Sequence, residues 1–111
     1  MTTETTLDMK AYIGSDTYGP VLLTKTIGTG ADLVKGTILG RVTADGKLKE
    51  YDSGNSDGTE NPVAVLMEDA AAASADVEAT VGFAGVYIED NMTGLDAAAK
   101  TALEARGIYF K

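Results

Sequence analysis

TILGRVTADGKLKEY, residues 37–51, sets two β-forming runs on either side of Ala44, Asp45 and Gly46. Ile38, Leu39 and Val42 lead into the turn, and Leu48 and Tyr51 lead out of it. Gly46 can take a positive φ without a side-chain clash, as a three-residue hairpin with a bulge requires. The stretch therefore predicts an antiparallel hairpin, and its place in mid-chain points to a small β domain.

Downstream, DSGNSDGTENP (52–62) collects turn formers almost without interruption, which predicts an exposed loop with the chain re-entering the core at Val63. PVAVLM (62–67) reads as a strand. In EDAAAASADVEAT (68–80) the alanines favour helix while the flanking Asp and Ser favour turns, so an irregular loop or one helical turn is expected. VEATVGFAGVYIE (77–89) is rich in β-branched and aromatic residues, with Gly82 and Gly85 suited to a bulge or a bend between two short strands.

NMTGLDAAAKTALEARGIYFK (91–111) carries the clearest helix signal. Thr93 and Asp96 form a capping-box-like pair, Asp96 and Lys100 are spaced i, i+4, and Gly107 supplies a left-handed stop. Leu95, Ala99, Ala102, Leu103 and Arg106 fall near one face, and residues 108–110 read as a terminal strand. Upstream, VLLTKT (21–26) is a strand bounded by Pro20 and by Gly28 and Gly30, with a loop at GTGADLVKG (28–36).

The fold expectation is a mostly β (α+β) protein: a small, bent antiparallel β domain with one short C-terminal helix and an extended N-terminal arm. Residues 1–18 form the arm and its hinge, and 19–111 the domain. The leader MTTETTLDMKAYIGS (1–15) is Thr-rich and β-prone, yet it has too few apolar residues to fold alone. Such a segment gains main-chain hydrogen bonds by adding to another protein's sheet edge. Thr5, Thr6, Leu7, Asp8 and Met9 are the pairing strand, Tyr12 and Ile13 its anchor.

Composition narrows the chemistry. The 111 residues have room for one modest core, with no Trp and two Phe. A net charge of −8 disfavours a role on nucleic acid, whose recognition rests on neutralising phosphates. No Cys and no His removes thiol nucleophiles, disulfides, thiolate metal sites and imidazole bases. Neither a basic n-region with an apolar run nor a membrane-length apolar stretch is found, so a soluble protein made in a cytoplasm, without a membrane partner, is expected.

The remaining motifs are weak. GTGADL begins like a dinucleotide fingerprint, but Leu33 occupies the third glycine position. DSGNSDGTENPV has its glycine one place late for a calcium loop and Val63 where the bidentate Glu belongs. The carboxylate pairs Glu68-Asp69 and Glu89-Asp90 would point to opposite faces of a strand. Lys47 sits near the hairpin tip, where carrier domains present a modified lysine, but the residues around it do not match. Asn91-Met92-Thr93 is formally a sequon and reads more simply as a helix start.

GTILGRVTADGKLKEY, followed by PVAVLMEDAAAASADVEATVGFAGVYIEDNMTGLDAAAKTALEARGIYFK, resembles the lambda-type bacteriophage head decoration proteins, also described as capsid-stabilising proteins. The likeness runs from about Gly19 onward. It implies a mostly β domain with a short helix, assembled as a homotrimer outside an expanded phage head at its local three-fold axes. It implies no catalysis and no cofactor. It also implies an N-terminal arm that becomes ordered on the shell and pairs with the major capsid protein. For the trimer contact, Gly82, Phe83, Gly85, Ala99 and Leu103 are the candidates. Two alternatives are a virion-surface adhesion or carbohydrate-binding module, using its tyrosines, and a carrier domain modified at Lys47.

Overall fold

The computed structural model describes residues 13–15 and 20–111. In chain order the strands are β1 (Ile13–Ser15), β2 (Val21–Ile27), β3 (Asp32–Leu33), β4 (Ile38–Arg41), β5 (Leu48–Glu50), β6 (Pro62–Leu66), β7 (Ala70–Ala71), β8 (Val77–Tyr87) and β9 (Ile108–Phe110). A 3-10 turn (Glu89–Asn91) and one helix, α1 (Ala97–Glu104), lie between β8 and β9.

Strand β8 organises the whole. It pairs with β2 on one side and β6 on the other, and the path β2, β5, β4, β6 returns to β8, so these strands close into a small barrel. Beyond the barrel, the end of β8 pairs with β1 and β9 instead. Closure removes most sheet edges, which a short chain with no disulfide has reason to do.

Two packed clusters follow from the alternation of side chains along these strands. Ile27, Leu39, Leu48, Ala64, Leu66, Ala79 and Val81 come from all five barrel strands and fill the interior. Ile38, Val65, Met67 and Tyr87 point the other way and meet Ala99, Leu103 and Ile108. Every residue of β6 is buried because one of its faces lines the barrel while the other lies under the helix. That double burial explains the unbroken apolar run in PVAVL.

The hairpin at 37–51 forms as expected, with Leu39 opposite Glu50 and Arg41 opposite Leu48. Val42 and Lys47 close a loop one residue longer than a three-residue turn, with Gly46 at φ 76°. Helix α1 also forms, with Gly107 at φ 89° just past it.

Several expectations need correction. The sheet is mixed, because β2 meets β5 in parallel and β9 runs parallel to β8. The helix is the reason for the second pairing: it is the crossover that returns the chain to β8 in the same direction. Residues 77–87 form one strand, in which Phe83 is the extra residue of a bulge between the Val21–Ala84 and Leu22–Gly82 pairs. Asp96, rather than Thr93, caps α1 through its side chain, which accepts from the Ala99 N–H at 2.7 Å. Thr93 instead uses its backbone to bridge Gly36 and Ile38. Lys100 pairs with Glu89 at 2.7 Å. The 52–62 loop is not exposed throughout: Gly58 is buried against Arg41 and Thr43, and Thr59 against Gly40. Within the expected 28–36 loop, β3 makes a short ladder with β7.

Candidate functional site

Of the segment read as a docking arm and hinge, Ile13–Ser15 is described and pairs with the end of β8. Ile13 is opposite Tyr87 in antiparallel register, and Tyr87 is also the parallel partner of Phe110. Strand β8 therefore carries the root of the leader on one edge and the last strand on the other. Lys111 continues this layer, its N–H bonding the Tyr87 carbonyl and its own carbonyl accepting from Glu89. Among the proposed arm residues, Thr5, Thr6, Leu7, Asp8, Met9 and Tyr12 lie outside the described residues, and Ile13 begins β1.

The residues suggested for a trimer contact do not form one surface. Ala99 and Leu103 are fully buried, facing Tyr87 and Ile108, and have no side chain left to offer a neighbour. The alanine face of the helix packs closely on this chain's own sheet. Gly82 is buried beneath the Tyr87 hydroxyl, and Gly85 is buried against Pro20. Phe83 alone reaches solvent, half-buried over the barrel interior, with Lys25 Nζ 5.9 Å and the Arg41 guanidinium 6.0 Å from its ring centroid.

Lys47 is held by an ion pair with Asp76 at 2.6 Å, and the second oxygen of Asp76 accepts from the Thr29 N–H and hydroxyl at 2.8 and 2.7 Å. The lysine and the two Thr29 donors keep the Asp76 carboxyl well below the usual carboxylate range. A modified lysine must swing freely, whereas this one ties the hairpin to the 72–76 bend. Glu68 accepts from the Thr80 N–H at 2.6 Å and Asp69 from the Lys35 N–H at 2.8 Å, so each carboxylate staples backbone.

The glycine-rich and acidic loops, distant in sequence, share a shallow cleft of about 190 Å³ lined by Gly28, Gly30, Lys49, Asp52, Asn55 and Asp57. Its carboxylates serve the loop itself, Asp52 accepting from the Gly54 N–H and Asp57 from Thr59. Among the described residues no cluster of three or more Asp, Glu, His or Cys side chains is arranged to hold a metal ion. Of the described tyrosines, Tyr51 and Tyr87 are buried and Tyr109 is exposed.

The described chain is thus a small closed barrel with an outer layer in which β1 and β9 flank the end of β8. Residues 23–108 match the family model of the bacteriophage lambda head decoration protein D, and the chain belongs to that family. No curated protein matches it. Membership makes this a structural protein of a phage head, located on the virion capsid.

Proposed function

We propose that the protein binds the outer surface of the expanded head as a homotrimer at three-fold sites and stabilises the shell against the pressure of packaged DNA. Residues 1–18 act as docking arm and hinge, and 19–111 as the decoration domain, made in the host cytoplasm. The arm adds as a strand to the major capsid protein. The observation that carries this reading is the pairing of Ile13 with Tyr87, the residue that Phe110 of β9 also meets, because it roots the leader on a strand of the core. Pull on the leader is thereby delivered to β8 and through it to the barrel.

Ordering an arm costs on the order of 1–2 kcal/mol per residue, so strand hydrogen bonds and burial of Leu7 and Met9 must exceed that. Three arms on one trimer make the second and third contacts intramolecular, which raises avidity by about 10²–10⁴. Deleting residues 1–12 leaves β1 and the barrel in place and tests the reading directly. Occupancy of expanded heads should fall at least tenfold, and unchanged occupancy would defeat the arm's role.

A further inference from the structure

Strand β2 is only partly taken into the barrel. One edge pairs with β8 along its whole length, but among the described residues the other edge is paired only at its last position, where Ile27 meets Leu48. Among the described residues, the outer edge of 21–26 thus has no strand partner for its main-chain groups. The face that β2 turns inward at Ile27 continues through Lys25, Leu23 and Val21, and there it is bare: Leu23 and Val21 are each 46% exposed. Such an edge is a template for another strand.

The charges beside it are also unmet. Lys25 and Arg41 lie over Phe83 and form no ion pair among the described residues, in a chain of net charge −8. A cation held against an aromatic ring remains available to a carboxylate beyond it. Open edge, bare apolar side chains and unneutralised cations are adjacent on one side of the molecule.

From this juxtaposition we infer that the free edge of β2 at residues 21–26, with Lys25, Phe83 and Arg41, is the face that receives a carboxylate-bearing extended segment of a second copy of this chain. The occupant follows from charge, since a surface this acidic is what a second copy offers to a cationic spot. Symmetry agrees: a cyclic trimer needs a head-to-tail contact between two unlike surfaces, of which this edge is one. The inference rests on the homotrimer reading and gives it a location.

Sedimentation of Leu23→Lys and of the Lys25→Glu/Arg41→Glu double variant tests it, with circular dichroism as the check on folding. All three side chains reach solvent, so the variants should fold. Self-association should weaken by about tenfold or more in each, and that of the wild type should weaken with added salt. Wild-type association that both variants retain would overturn the inference and leave the trimer standing. Variants that are monomeric yet occupy heads as the wild type does would support the edge and overturn the trimer as the binding form. A wild type monomeric at every concentration, free and on heads, would sink both.

Discussion

The Tyr51 hydroxyl meets both carboxylate oxygens of Asp96, at 3.1 and 3.0 Å, while the same carboxylate accepts the Ala99 N–H at 2.7 Å. One side chain thus caps the only helix of the described residues and fastens it to the residue that follows β5. Tyr51 is 6% exposed, and Ser53 also hydrogen-bonds its side chain. Asp96→Ala removes the cap and the hydroxyl's carboxylate partner, leaving it Ser53, and should cost about 1–2 kcal/mol in urea unfolding. Tyr51→Phe should cost about 1–2 kcal/mol, and a double-mutant cycle should return a positive coupling.

The same pair predicts a response to alkali. Burial, and next the hydrogen bond to Asp96, push the Tyr51 phenol above its ordinary value. A group whose pKa is higher in the folded state contributes stability below its unfolded pKa, about 10 for tyrosine, and loses it as pH rises through the folded value. Stability should therefore fall above pH ~10, and Tyr51→Phe should lessen that fall. Denaturation midpoints between pH 8 and 11 measure it.

Asp76 sets the opposite slope. Lys47 first, then Thr29, depress its pKa, so its contribution is present above the unfolded value near 4 and is lost on further acidification. The ion pair is over a third exposed on both sides, so its effect is small and sensitive to salt. Asp76→Asn should lower the melting temperature slightly at pH 7, and the difference from wild type should shrink towards pH 2.

A methyl group at position 82 would collide with the Tyr87 hydroxyl, which donates to the Ala84 carbonyl at 2.7 Å inside the core. Gly82→Ala should destabilise by about 1–3 kcal/mol through overpacking. Tyr87→Phe removes the colliding atom, so the pair Gly82→Ala/Tyr87→Phe should be less destabilised than the two single changes summed. Thermal melts of the four proteins decide this.

Leu103 separates core from interface. Fully buried against this chain's own strands, it should lose about 2–5 kcal/mol of stability on change to Ala. The loss should appear as a lower midpoint in denaturant at a protein concentration where the chain is monomeric. An interface residue would show no change there.

What the sequence disclosed was local. Gly46 and Gly107 demand left-handed backbone, so hairpin and helix end could be read from a few neighbouring residues. Thr93 and Asp96 both suit an N-cap, and the choice between them fell to a distant partner: Thr93 is held by Gly36 and Ile38, which leaves Asp96 to the helix. Closure of the barrel depends on Val65 finding Gly82 and Leu66 finding Val81, pairings that alternation within either strand cannot specify. Ala99 and Leu103 fall on the small-residue face that suits close approach to a sheet, and they meet this chain's own strands, whose identity helix periodicity alone does not specify. The candidate edge on β2 was hidden for the same reason, since VLLTKT looks like any half-buried strand until its missing neighbour is noticed.

Because β8 is shared by the barrel and by the outer layer with β1 and β9, neither layer can open without disturbing the other. Amide exchange should reflect that sharing. The protons of β8 flanked by β2 and β6 should be the last to exchange, at the rate of global unfolding, while the unpaired amides of β2 exchange early. Unfolding should follow as one transition for both core clusters, with no half-folded barrel accumulating for a protease or a neighbouring chain to capture.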